Sequence, residues 1–173
     1  MAVNLKRLQE ANVYLNGNSL LGQTEEIKLP DFTSKMSEHK AVGMVASIEL
    51  FAGIDKMNAE FKWNSYFPNT LAAAANPFAA VDMQVRSSLR TFGGAGEVTG
   101  EVPVVVYLKG TFSKGATGTF KHHDPADIPT TMSVKYMRQV VDGKDILEID
   151  AMNNIFKVNG VDLLAQYRQN LGI

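Results

Sequence analysis

Apolar and polar residues alternate with a period of two over much of the chain, the pattern of strands buried on one face only. Asp55 to Trp63 shows it most fully. Met57, Ala59, Phe61 and Trp63 fall on one face, and Lys56, Asn58, Glu60 and Lys62 on the other. Val81 to Phe92 repeats the pattern, with Val81, Met83, Val85 and Leu89 set against Asp82, Gln84, Arg86, Ser88 and Arg90. Glu101 to Phe112 follows with Val102, Val104, Val106 and Leu108 in phase. Gly93-Gly94-Ala95-Gly96 lies between these two runs as a flexible turn, so a long hairpin is predicted. Thr130 to Val141 reads as a further strand with Met132, Val134 and Tyr136 in phase. Asp142-Gly143, a pair that tolerates the positive φ of a tight hairpin turn, returns the chain along Lys144 to Asp150.

Shorter signals fill the rest. Asn12 to Leu15 is a strand, Asn16-Gly17-Asn18 a turn, and Ser19 to Gln23 and Thr24 to Leu29 are returning strands stopped by Pro30. Asp31 to Met44 is polar and reads as an ordered loop or irregular edge. Val45 to Phe51 is a strand broken by Gly53. Asn69 is placed to cap a helix over Leu71 to Ala75, which Pro77 ends. Ser113 to Pro129 has no clear period and reads as a long polar connection, a feature that inside a compact domain is commonly functional or mobile. Asn153 to Val158 is a strand ended by Asn159-Gly160. Asp162 sits at the N-cap of a short C-terminal helix holding Leu163, Leu164 and Tyr167, with Gly172 as its C-terminal cap. The expected fold is mainly β, with hairpin-connected strands, one short internal helix and a short C-terminal helix. Residues 1–10 read as an N-terminal arm and 11–173 as a single domain.

Composition narrows the chemistry. The 173 residues, 45% hydrophobic and 20% charged, suit one well-filled core. A net charge of −1 lacks the basic excess of a nucleic-acid binder. The absence of cysteine removes disulfides, thiolate nucleophiles and cysteine-based zinc sites. Lys6 and Arg7 are not followed by an apolar stretch, so no signal peptide is read, and folding in the cytoplasm is expected. The three histidines, His39, His122 and His123, lie in no catalytic signature. His122-His123-Asp124 with Asp127 could suggest a metal site, but adjacent histidines on an extended chain point to opposite sides, and a solvated loop is the plainer reading. Glu25-Glu26, Glu148 and Asp150 could serve acid-base work by residue type alone, yet they read as strand-face and turn charges. No catalytic residue, metal ligand or cofactor site is therefore assigned.

The C-terminal third carries a more specific signal. Val141-Asp142-Gly143-Lys144-Asp145-Ile146-Leu147-Glu148-Ile149-Asp150 is followed by Asn153-Asn154-Ile155-Phe156-Lys157-Val158-Asn159-Gly160-Val161-Asp162, and then by Leu164, Arg168, Asn170, Leu171 and Gly172. This string resembles the C-terminus of the major tail tube proteins of contractile-tailed bacteriophages and of the related headless R-type pyocins. Asn12-Val13-Tyr14-Leu15-Asn16-Gly17, Leu29-Pro30 and Gly43-Met44 agree with that family in order and spacing. The resemblance is most specific from Asp142 onward and departs from Tyr66 to Pro129.

The resemblance implies a structural, non-enzymatic protein of the virion or tailocin particle, made in the bacterial host cytoplasm. Six copies would close into a ring, and stacked rings would form the inner tube that is driven through a target envelope. Each copy would be an antiparallel β-sandwich or partly closed barrel with flanking helices, and the inner wall would be one β-barrel shared by all six copies. Its implied partners are further copies of itself, a tail sheath protein, baseplate and tail terminator proteins, and a tape measure protein in the lumen, with passage of DNA where a head is present. Glu49, Asn58, Glu60, Lys62, Gln84, Arg86, Ser88 and Arg90 are the expected lumen-facing residues, with an ordinary solvent face as the alternative. Glu38, His39, Gly43, Met44, Lys114, His122, His123 and Asp124 are expected at contacts between subunits or rings. The competing readings are a soluble β-barrel that binds a small ligand and a hydrolase with acids on its loops.

Overall fold

The computed structural model describes residues 5–115, 117–122 and 124–173. Thirteen strands are found among them: β1 Leu5–Leu15, β2 Asn18–Ser19, β3 Thr24–Lys28, β4 Ser34–His39, β5 Ile48–Ile54, β6 Met57–Trp63, β7 Val81–Phe92, β8 Val98–Lys114, β9 Thr119–Lys121, β10 Asp124–Val141, β11 Lys144–Asp150, β12 Ile155–Val158 and β13 Val161–Asp162. Two short helices accompany them, α1 Pro68–Ala75 and α2 Ala165–Leu171. All strand pairings are antiparallel, and β4 with β5 forms a separate two-stranded sheet.

The large sheet is organised by β10. One edge of this strand pairs with β8 from Thr131 to Val141. The other edge is shared: Ile128 to Val134 pairs with β6, and Tyr136 to Val141 pairs with β11. The change of partner falls at a register shift around Lys135. The sheet then continues from β8 through β7 to β1, and from β6 to β3.

The inward faces meet in one cluster that joins Val13 and Leu15 of β1 to Phe61 and Trp63 of β6, Leu108 of β8, Met132 of β10 and Ile149 of β11. A sheet whose distant strands share one core must curl around it, which gives the partly closed barrel that the resemblance implies. Met57, Ala59, Phe61 and Trp63 are between 0% and 3% exposed, so the period-2 reading of β6 holds at every position. The indole N–H of Trp63 donates to the buried Thr130 hydroxyl at 3.0 Å, satisfying both polar groups inside the core.

Several expectations are corrected. Leu5 to Gln9, read as part of an arm, pair with β7 and belong to β1; residues 1–4 of that arm lie outside the described residues. The stretch from Asp31 to Met44 contains β4, whose residues are all exposed, so no buried face imposes an alternation on them. Gly53 lies within β5, at the register shift between Lys35 and Met36, and does not break the strand. Of the expected Ser19 to Gln23 return only Ser19 is strand, in β2 Asn18–Ser19. The long polar connection shrinks because β8 runs to Lys114 and β10 starts at Asp124. Tyr136 leaves the phase of Met132 and Val134 because the shift at Lys135 moves the buried face to Met137. Helix α1 starts with Pro68 after Phe67, so Asn69 lies inside its first turn. Helix α2 is preceded by Leu164, without a side-chain cap.

Gly110 marks the tightest crossing. A Cβ at this position would lie 2.0 Å from the backbone carbonyl oxygen of Ser133, beside the register shift that lets β10 change partners. Backbone cannot swing aside as a side chain can, so overpacking here is expected at the upper end of its usual cost. Gly110→Ala should destabilise the protomer by about 3 kcal/mol in urea unfolding. A loss near zero would mean that β8 and β10 do not cross this closely.

Candidate functional site

No cluster of three or more histidine, aspartate or glutamate side chains with metal-binding geometry occurs among the described residues. The features left for function are strand edges without partners, an isolated hairpin and a polar face.

The open edges come from β1, β7 and β8 running past the core. β2 covers β1 only at Tyr14 and Leu15, so from Leu5 to Asn12 the outer edge of β1 has no strand partner among the described residues. β10 pairs with β8 as far as Val104, and the N–H of Asp142 reaches the Pro103 carbonyl at 3.0 Å. Beyond that point the stretch Val98 to Val102 of β8 is also an open edge. The three strands there form an extension with two free borders and no core beneath it. Accordingly Leu5, Leu8 and Val98 are more than half exposed, whereas Val13 and Leu15 on the same strand are buried.

The β4–β5 hairpin stands apart from the large sheet. A lone two-stranded hairpin is marginal in water, yet this one exposes Met36, Ile48, Leu50 and Phe51. Its root is tied down by the Asp55 N–H to the Thr33 carbonyl at 2.9 Å and by Phe32 packed edge-on against Phe156. Glu38 and Glu49 lie directly opposite each other, a like-charge pairing that destabilises a hairpin. Lys40, 2.9 Å from Glu38, holds that carboxyl below its usual range.

The polar face is the outer side of the same wall. Gln84, Arg86, Ser88 and Arg90 project from it along β7, flanked by Arg7, Gln9, Asn12 and Tyr14 of β1 and by Glu101 and Tyr107 of β8. Ser88 and Arg90 both donate to Glu101, at 2.5 Å and 3.1 Å, and Arg90 also donates to Gln9 at 2.9 Å. The Ser88 hydroxyl first, and the Arg90 guanidinium second, hold the Glu101 carboxyl below its ordinary value. Arg86 lies over the Tyr14 ring at 5.5 Å and Arg138 over Tyr107 at 5.9 Å. Arg138 is also paired with Asp145, and Lys109 with Asp82, so much of the charge on this face is neutralised within it.

The expected site residues therefore separate. Gln84, Arg86, Ser88 and Arg90 share one strand face. Asn58, Glu60 and Lys62 share another on β6, two strands away across β10 and β8. Lys62 there bridges Glu25 at 3.3 Å, and that hydrogen bond raises its ammonium above the usual lysine range. Glu49, expected at the lumen, sits opposite Glu38, expected at a contact, so the two occupy one surface of the hairpin. His39 ends β4, and Gly43 and Met44 lie in the turn that follows. Lys114 ends β8, His122 lies in the β9–β10 turn and Asp124 opens β10, far along the chain from the hairpin; His123 lies outside the described residues. Sequence reasoning missed Arg7, Gln9 and Glu101 on the polar face. Leu5 to Gln9 carry no period-2 signal, since Leu5 and Leu8 fall on opposite faces of the strand, and the chain's start was read as an arm.

In the C-terminal string Asp162 and Arg168 form a partly buried ion pair. Asp162 accepts from Arg168 at 2.6 Å and 3.3 Å and from the Leu164 N–H at 3.0 Å, while Arg168 also donates to the Asn154 carbonyl at 2.8 Å. Arg168 foremost, and the Leu164 amide, hold the Asp162 carboxyl below its ordinary value. A lowered folded value means stabilisation that is present above the ordinary aspartate range and is lost as pH falls through the folded value. Melting of the soluble chain from about pH 6 down to about pH 3 should show this loss at α2. Asp162→Asn should lower the melting temperature at the upper end and flatten that acid limb. An unchanged limb would show that the pair does not anchor the helix.

Comparison with known proteins agrees with this architecture. The family described as phage tail tube protein FII matches residues 5–172. The tail tube protein of Escherichia phage P2 is 32% identical over 173 residues, covering 97% of this chain and 98% of that protein. Two chains solved by cryo-EM share the fold. One, from the six-fold symmetrised baseplate of the anti-feeding prophage, is 12% identical with a TM-score of 0.51, covering 75% of this chain and 90% of its own. The other, from the PVC sheath/tube terminator of an extracellular contractile injection system in the extended state, is 13% identical with a TM-score of 0.50, covering 76% and 91%.

Proposed function

The chain belongs to the phage tail tube protein family, a structural component of the virion and not an enzyme, and from that premise we propose how its surfaces build the tube. Six copies close into a ring, in keeping with the symmetry of the baseplate that shares its fold. Neighbouring copies join where the open β1 edge of one meets an open edge of the next. The observation that carries this reading is the extension of β1, β7 and β8, a sheet with two unpaired borders. Unpaired strand edges template further pairing, and a closed ring consumes both borders of every copy.

The polar face of Gln84, Arg86, Ser88 and Arg90 lines the lumen. Its internal ion pairs leave few free cations to grip a polyanion, which suits a conduit for DNA and for a tape measure protein during assembly. The β4–β5 hairpin, with Glu38, His39, Gly43 and Met44 along one end and Glu49 opposite Glu38, makes the contact between stacked rings. Its exposed apolar residues and opposed carboxylates are costs in a lone copy that a neighbour's apolar and cationic groups relieve. Residues 11–173 act with β1 as one unit, and the outer surface of the finished tube meets a sheath, a baseplate and a terminator. A small-ligand barrel finds no comparable support.

Negative-stain microscopy of the purified chain at rising concentration should show rings and rods; particles that stay single at every concentration would refute the reading. Leu50→Asp lies on an exposed strand, so it should change protomer stability by no more than about 0.5 kcal/mol while leaving rings that do not lengthen. Normal rods from this variant would remove the hairpin from the stacking contact.

The lumen assignment has its own test, helped by a chain without cysteine. Ser88→Cys should react quickly with a bulky maleimide in free protomers and slowly in rods, where the label can enter only at the ends. Equal rates in both states would place this face outside the tube.

A further inference from the structure

The β1–β7–β8 sheet leaves the core at one row of residues, Ala11–Ser87–Val104, and β1 is irregular at that row. Pairing passes from Gln9 opposite Ser88 to Ala11 opposite Ser87, which leaves Glu10 as an extra residue without a partner. Glu10 has φ 56°, and among the described residues it is the one positive-φ position that is neither glycine, asparagine nor aspartate. Asparagine and aspartate tolerate this region through local hydrogen bonds, and a glutamate does not. Such strain persists only where the surroundings hold it. Ser87 does the holding: its hydroxyl donates to the Glu10 carbonyl at 2.6 Å and reaches the Gln9 carbonyl at 3.4 Å. β10 stops at the same level, where Val141 pairs with Val104. The bulge therefore lies where the wall changes from a sheet packed on a core to a free extension.

We propose that the Glu10 bulge, locked by Ser87, is the corner of the wall: it sets the angle at which the extension leaves one copy, and hence how many copies close a ring. This rests on the ring reading above. A bulge bends its strand and increases the local twist, and curved, closing sheets place bulges at their corners. A ring of six turns by about 60° at each step, and a wrong angle gives another closure number or an open helix. Ser87 and Glu10 are positioning residues, since they act through the direction of the edges without themselves forming the contact.

Deleting Glu10 separates the bend from everything else. Ala11 opposite Ser87 and Gln9 opposite Ser88 then become consecutive pairs, so register is kept and every side chain retains its face. The full chain is assembled and its rings are sorted by diameter and subunit number in electron micrographs. Glu10→Gly keeps the bulge and relieves the strain, so wild-type rings and a higher melting temperature are expected. The deletion should fold with an unchanged far-UV spectrum and give rings of altered number or open fibres. Ser87→Ala, which keeps Glu10 without its lock, should broaden the distribution of ring sizes. Wild-type rings from the deletion overturn the proposal. So does a deletion-like outcome from Glu10→Gly, which would transfer the role to the carboxylate. Should the deletion fail to fold, Ser87→Ala decides, and a uniform wild-type population sinks the idea. Absence of rings from the wild-type chain would instead remove the ring reading, which keeps the two failures distinct.

Discussion

A backbone amide and carbonyl at a strand edge need a partner, and this fold leaves two rows of them open on one three-stranded extension. Inside the protomer the demand is met: β10 shares itself among β6, β8 and β11, and the buried Trp63 and Thr130 satisfy each other. Past Val104 the core ends while β1, β7 and β8 continue, so the demand is carried to the surface. An isolated soluble protein would be expected to blunt such edges with charges, proline or a covering loop. Here the open border of β1 carries Lys6, Arg7 and Glu10 but also Leu5 and Leu8, both more than half exposed. The extension has the make-up of an unfinished interface.

The division of labour along the wall follows. The inner face of the sheet is committed to the core of its own copy, from Val13 to Ile149. The outer face is polar and largely self-neutralised, with Glu101 held by Ser88 and Arg90 and Arg138 held by Asp145. The edges are left for neighbours. The β4–β5 hairpin is the proposed second direction of growth: among the described residues it shares no strand pairing with the large sheet, and it exposes apolar residues on both of its faces. Membership of the tail tube family is the premise for the roles proposed for these features, and the strand pairing supplies their chemistry.

Alternation made the core strands legible, and it failed where the protomer leaves a strand exposed on both faces. β6, β7 and β8 could be read residue by residue because their own core enforces the period, as the near-zero exposure of Ala59 and Leu108 attests. β4 could not, because Ser34 to His39 are exposed in the protomer and nothing local selects their side chains. Leu5 to Gln9 were read as an arm for the same reason. Tyr136 was misplaced by a register shift that depends on Gly110 and Ser133, which are 23 residues apart and meet only in the folded sheet. Of the residues expected at the lumen, Gln84, Arg86, Ser88 and Arg90 share one strand face, whereas Glu49 was drawn in by strand phase alone and belongs to the hairpin.

The central claim is that the two open borders of the extension become paired when copies assemble, and amide hydrogen exchange reads this directly. Exchange should be fast at outward-pointing amides of residues 5–9 and 98–102 in the protomer, and slowed to the level of the core strands in assembled rods. Rods in which those amides exchange as fast as in the protomer would show that the ring is closed by other surfaces, and the account would be wrong.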